Sequence, residues 1–187
     1  MHFIEMKLNR FLFITGLLAC MGMLMPHMAS AQKTPFATKL KASVDSLQKA
    51  ADKDPDTFKG NMVKMEEEWG KRKDPVEQSV AHAVLASAYR EMRWTSISDF
   101  DEETRSDYTK RMNGHFAHVL DNMEALANAR SSAYAPLLSK GKDSDLFGND
   151  MLSVMLDFLV QNSNLENWEA AAAYQRAFRV YQQRGNL

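Results

Sequence analysis

Asp74-Pro75-Val76-Glu77-Gln78-Ser79-Val80-Ala81-His82-Ala83-Val84-Leu85-Ala86-Ser87-Ala88-Tyr89-Arg90-Glu91-Met92-Arg93 is the stretch on which the fold turns. An aspartate stands before a proline, the pairing that suits a helix cap followed by a first helical turn. Glu77, three residues after Asp74, makes an approximate capping box. Val76, Val80, Val84, Ala88 and Met92 then recur every four residues, which is the period of a helix and not of a strand. Ala81, Ala83, Ala86 and Ala88 give the helix a small-residue surface, so that neighbouring helices can approach it closely.

The same start signal occurs twice upstream, at Thr34-Pro35 and Asp54-Pro55. Three starts at an even spacing predict helices of about four turns with short connections. The first carries Phe36, Leu40, Val44, Leu47 and Ala51 on one stripe, the second Phe58, Met62, Met65 and Trp69. Downstream, Thr95 to Asp101 reads as a loop. A helix is expected from Glu102 to Ala129 on Tyr108, Met112, Phe116, Val119, Met123 and Leu126, with a bend at Gly114, where glycine costs about 1 kcal/mol relative to alanine. Residues 132–140 read as a short amphipathic turn or helix, and Lys140 to Asn149 as a charged loop. Met151 to Val160 is apolar nearly all round and is expected to be central. Ser163 and Glu166 predict a capping box for a last helix that buries Trp168, Ala171, Phe178 and Tyr181 and stops at Gly185-Asn186. The fold class read from this is all-α: six or seven antiparallel helices stacked as helical hairpins, tetratricopeptide-like or as an irregular bundle. Ala81 to Tyr89 and Ala171 to Phe178 share an alanine-and-aromatic texture, but no 34-residue period is clear.

The N-terminus carries a different message. Lys7 and Arg10 precede an apolar run from Phe11 to Met25, Pro26 breaks it, and Ala29-Ser30-Ala31 offers a small-x-small cleavage site. This order reads as a signal peptide over residues 1–31, leaving a helical domain at 32–187. The run of about 15 residues is short of the ~20 that span a bilayer. Leu17-Leu18-Ala19-Cys20 resembles a lipobox, so acylation of Cys20 is the alternative and the one route to membrane attachment. Against it, Met21 to Met25 continues the apolar run where a lipoprotein turns polar. Cys20 is the only cysteine, so cleavage after Ala31 removes disulfides, thiolate nucleophiles and cysteine-based zinc sites together. The formal net charge is −1, which gives no electrostatic reason to expect nucleic acid as a partner.

Candidate chemistry is thin. His115 and His118 are spaced to share a helix face with Asp121, a two-histidine, one-carboxylate metal pattern, but no His-Glu-x-x-His motif accompanies them and a partly buried helix surface explains them as well. Asp143-Ser144-Asp145-Leu146-Phe147-Gly148 begins like a calcium loop and fails at Phe147, Asp150 and Val154. Glu66-Glu67-Glu68 followed by Lys71-Arg72-Lys73 reads as a solvated charge run matched to the helix dipole. Trp69, Trp94 and Trp168 read as core, with a ligand groove as the sharper alternative. No phosphate loop, nucleophile elbow or paired-carboxylate motif is present. The expectation is a protein without catalytic, cofactor or metal residues.

One stretch adds a family. Pro136-Leu137-Leu138-Ser139-Lys140-Gly141-Lys142-Asp143-Ser144-Asp145-Leu146-Phe147-Gly148-Asn149-Asp150-Met151-Leu152 resembles a segment near the N-terminus of large alpha-2-macroglobulin-like proteins of Bacteroidetes-type bacteria. There too a signal peptide leads into helices, and a later helix ends on a Gly-Asn pair like Gly185-Asn186. The resemblance covers about 20 residues in wording and most of 34–187 in layout. It implies a non-catalytic scaffold or docking portion of a periplasmic or surface envelope protein, with protease trapping carried downstream. No thioester residue carries over, because Cys20 is followed by Met21-Gly22. The alternatives are a free-standing tetratricopeptide-like binder of a peptide or protein, and a small metal-dependent enzyme using His115 and His118.

Overall fold

The sequence signals that are purely local, the proline-led helix starts, are where the chain follows expectation most closely. In a computed structural model, which describes residues 35–51, 55–94, 101–134, 137–138 and 149–185, helices begin at Pro35, Pro55 and Pro75. These are α1 (Pro35–Ala51), α2 (Pro55–Trp69) and α3 (Pro75–Trp94). Asp74 caps α3, its carboxylate accepting from the amides of Val76 and Glu77 at 3.0 and 2.9 Å. Glu77 does not turn back to close the expected box; it pairs with Arg72 at 2.6 Å.

Four more helices follow: α4 (Glu102–His118), α5 (Met123–Asn128), α6 (Met151–Asn162) and α7 (Asn167–Gln183), with a 3-10 turn at Ser131–Tyr134. Among the described residues the fold is all-α, with no strand beyond an isolated bridge between Arg130 and Asp150. None of these helices is long and apolar enough to cross a membrane. The leader at 1–31, Cys20, and the loop containing Asp143 to Gly148 lie outside the described residues, as does most of the segment that carries the family resemblance.

Three expectations are corrected. The helix predicted over Glu102 to Ala129 is two helices, and the interruption falls at Val119–Asn122, not at Gly114, which sits inside α4. Asn122 gives the physical reason: its amide reaches across to Gln78 and Ser79 on α3, at 3.2 and 3.4 Å, and turns the chain there. The box at the start of α7 lies three residues later than expected: the Glu169 carboxylate accepts from the Glu166 amide at 2.8 Å. Ser163 instead closes α6, donating to the Leu159 carbonyl. The third correction concerns the face of α7. Ala173, Ala177 and Tyr181 are buried, whereas Trp168, Ala171 and Phe178 are exposed.

The pairing is antiparallel where contacts fix it. Phe36, at the start of α1, packs edge-on to Trp69 at the end of α2, ring centres 5.6 Å apart, and the Trp69 indole donates to Ser43. Tyr89 meets Tyr108, and His82 meets His115, which sets α3 against α4 in opposite directions. Helix α3 is the spine: every residue from Ser79 to Tyr89 is buried. Helix α6 is buried from Met151 to Asp157, as its all-round apolarity requires. Burying each of the large aliphatic side chains here contributes roughly 1.5–3 kcal/mol.

Candidate functional site

Two places hold the side chains that chemistry would need. The first lies between α2, α3 and α4. Glu66, inside the acidic run that reads as solvated, turns inward instead. Its carboxylate accepts from the Tyr89 hydroxyl at 2.5 Å and from the Arg111 guanidinium at 2.8 Å. Arg111 is also held by Asp107, one turn earlier on α4, at 2.7 Å. On the other side, the Nε2 of His115 is 3.3 Å from Glu66, an electrostatic contact outside hydrogen-bond geometry. The Nδ1 atoms of His115 and His82 are 2.9 Å apart.

That spacing assigns the protons. Of two facing ring nitrogens one must donate and the other accept. The Glu66 carboxylate favours a proton on His115 Nε2, so His115 Nδ1 accepts and His82 Nδ1 donates. Both rings are under 10% exposed (9% and 8%). Burial, then the neighbouring His115 and His118, push the His82 pKa down to about 4. Burial also lowers that of His115, opposed by Glu66. The Tyr89 phenol is raised, first by burial and then by its bond to Glu66. At neutral pH the cluster therefore holds two neutral imidazoles, a neutral phenol and a carboxylate–guanidinium pair. Its groups are turned onto one another.

His115 and His118 do not act together. His118 bonds Asp121 at 2.6 Å, with over half of each side chain exposed, and sets its ring centre 5.1 Å from that of His82, while His115 turns inward to His82 and Glu66. Among the described residues no group of three His, Cys, Asp or Glu is placed to hold a metal ion. Asp150 serves as the cap of α6, accepting from the Ser153 amide and from the buried Tyr181 hydroxyl.

The second place is a groove of about 530 Å³ between α4, the end of α6 and α7. Phe116, Leu120, Leu159, Leu165 and Ala173 make its apolar floor, and Asp121, Glu169 and Arg176 stand on its rim. Trp168 forms one lip and is 70% exposed. Further along α7, a smaller hollow of about 350 Å³ is formed by Tyr174, Gln175, Phe178, Arg179 and Gln182. The sequence signal for this surface was present in the apolar spacing of Trp168, Ala171 and Phe178, but spacing alone assigns such residues to a core. Of the three tryptophans, Trp69 is in the core and Trp168 is on the groove; the Trp94 side chain lies outside the described ones.

Set beside known proteins, the chain matches no family model, no curated protein and no solved structure.

Proposed function

We propose that this chain is an exported, non-catalytic docking domain that engages a protein partner through the outer face of α7 and the groove beside it. The observation that carries the reading is Trp168, 70% exposed on a well-formed helix at the lip of an apolar groove. Tryptophan next to a hydrophobic pocket is the composition of an interface hot spot, because its large rigid ring gains much on desolvation and loses little entropy. Scattered single apolar residues on a surface need no explanation, but Trp168, Ala171, Ala172 and Phe178 lie along one helix. The inward turn of His82, His115 and Glu66 supports the absence of a catalytic role.

The macroglobulin-like resemblance supplies a setting. Within it, this domain is the N-terminal helical scaffold of a larger envelope protein, α7 rests against a neighbouring domain, and protease trapping resides downstream. A free-standing binder of tetratricopeptide-like architecture is the second reading, favoured by the antiparallel pairs α1/α2 and α3/α4.

A photo-reactive amino acid placed at Trp168 and activated in the source cells tests the docking reading. Val63, 53% exposed on α2, is the control position. Adducts at Trp168 and none at Val63 are expected. Equal labelling at both positions, or none at either, sinks the reading. The mass of the unlabelled native product then separates the settings: a band many times this chain's size belongs to the macroglobulin-like one, a band near 21.2 kDa or its processed form to the free binder.

A further inference from the structure

Helix α4 is held to the molecule by little, and part of that little is a histidine. Of its 17 residues only Met112, His115 and Phe116 are buried. Among the described residues it packs chiefly on α3. Arg111 and His115 also reach Glu66 of α2, and the Phe116 ring lies 6.1 Å from that of Phe158 on α6. The turn that follows is better anchored: Val119 and Leu120 are buried, and Asn122 bonds to α3. A helix lightly packed along its length and fixed just beyond its C-terminal end has its hinge there, at Val119–Asn122.

The histidine pair that ties α4 to α3 has room for one hydrogen. The Nδ1 atoms of His82 and His115 are 2.9 Å apart, and the hydrogen between them belongs to His82. Acid can add a proton in two places. On His115 Nδ1 it sets two N–H groups head to head and breaks the bond. On His82 Nε2 it leaves the bond but buries a cation beside the rings of His115 and His118, opposed only in part by Asp121. Around His115, Glu66 of α2 favours the charged ring, whereas burial, His118 and Arg111 of α4 disfavour it. Tyr89 of α3 stacks on it as a neutral phenol. Burial outweighs Glu66, so both rings resist protonation while α4 is docked. Once α4 is released, both stand in water and take up protons in the ordinary histidine range.

His115 is next to Phe116, and the two serve different sides of α4. Phe116, with Asn113 and Ala117, forms the α4 wall of the groove that Trp168 borders; α6 and α7 supply the rest. We propose that acid releases α4 from α3, swinging it about Val119–Asn122 and taking away one wall of that groove, so that docking is confined to neutral pH. The consequence for docking rests on the docking reading; the release itself rests on the histidine pair. Each ring held neutral in the docked state makes the released state about tenfold more populated for each pH unit below its ordinary value of 6.5.

Native-state hydrogen exchange on the full chain, purified as the cell processes it, tests the release. Rates are read by mass spectrometry at about pH 7 and pH 5 and corrected for the intrinsic pH dependence of exchange. The amides of 106–118 should exchange about tenfold faster or more at the lower pH, and ahead of those of α6 at both. Urea below the unfolding midpoint should barely alter the α4 rate while it speeds α6, because releasing one helix exposes little surface. His82→Gln keeps a donor for His115 Nδ1 without a site for the acid proton, and should cut the acid increase severalfold. A corrected α4 rate indifferent to pH overturns the proposal. So does a rate and urea dependence shared with α6, which makes the opening global, and so does an undiminished acid increase in His82→Gln. Should that variant fail to fold, the parent's exchange decides alone. Acid release of α4 without Trp168 adducts in cells ends the docking reading and leaves the release standing. Trp168 adducts with an α4 insensitive to acid do the reverse.

Discussion

Helices α3 and α7 are written in the same alanine-and-aromatic texture and meet opposite fates. Helix α3 has α1, α2, α4, α5 and α6 against it, and every residue from Ser79 to Tyr89 is buried. Among the described residues helix α7 packs chiefly on α5 and α6, buries Ala173, Ala177 and Tyr181, and leaves Trp168, Ala171 and Phe178 exposed. Texture therefore tells how closely a helix can be approached; the number of neighbours tells how many of its faces are. In α3 the small residues are filled in by this chain. In α7 those on the outer side are left for another.

The comparison is broken most directly by deleting one aromatic from each helix. Tyr89→Ala removes a buried ring that stacks near His115 and Tyr108 and bonds Glu66. A loss of about 3–5 kcal/mol is expected, read as a lower urea midpoint at pH 7.5. A loss under about 1 kcal/mol would mean that the α2–α3–α4 junction is not the packed spine described above.

The next effect comes from pH, and it belongs to the α3–α4 junction, with His82 of α3 the more strongly shifted group. His82 faces His115 and His118 from α4 and Asp121 beyond it, while Glu66 of α2 and Arg111 of α4 act on His115. Its folded pKa is depressed to about 4 from an ordinary 6.5. Above pH 6.5 both folded and unfolded states hold a neutral ring, and the group adds no pH dependence. Below it the unfolded chain takes up a proton that the folded chain refuses, so stability falls from about pH 6.5 to about pH 4 and then levels. Allowing for partial solvation, the loss is roughly 2 kcal/mol. Urea midpoints measured across that window should drop, and His82→Gln should flatten this part of the slope; an unchanged slope in the variant would remove His82 as its source.

How much of this could be read from the sequence depends on whether the deciding interaction is local. The starts at Pro35, Pro55 and Pro75 were legible because a cap and a proline act within one turn. The centrality of α6 was legible because Met151 to Val160 has no polar face to turn outward. Glu66 was not, since Glu67 and Glu68 are its equals in sequence and only Tyr89, Arg111 and His115, all distant along the chain, single it out. The break at Val119–Asn122 was hidden for a similar reason: the apolar stripe runs straight through it, and the residue that turns the chain, Asn122, bonds to α3. The candidate surface was legible as apolar spacing on α7, but two stripes compete there. Ala173, Ala177 and Tyr181 won the interior because alanines admit the close approach of neighbouring helices and Tyr181 finds Asp150 for its hydroxyl.

A subtler comparison keeps the ring and removes only its oxygen. Tyr89→Phe leaves Glu66 paired with Arg111, so no charge is stranded, and about 1 kcal/mol is expected for the lost hydrogen bond. The same change at Tyr181, which bonds the α6 cap Asp150 from a buried position, should cost a similar amount. Equal values would show that the buried side of α7 is as well satisfied as the spine, and that only its outer face differs. A Tyr181→Phe value near zero, against a clear loss for Tyr89→Phe, would extend the contrast between the helices to the inner face too.

The smallest effect is expected where the aromatic is largest. Trp168→Ala should change the stability of the isolated chain by no more than about 0.5 kcal/mol, since the side chain is 70% exposed and gives up little burial. Isolation matters, because a face that is covered by a partner contributes stability only in proportion to the partner's concentration. Urea unfolding of Trp168→Ala should therefore coincide with that of the parent without the partner and fall behind it when the partner is present in excess. Coincidence at both would leave Trp168 a bare surface residue. A loss already present without the partner would place Trp168 in the core of its own chain, and the difference between α3 and α7 would disappear with it.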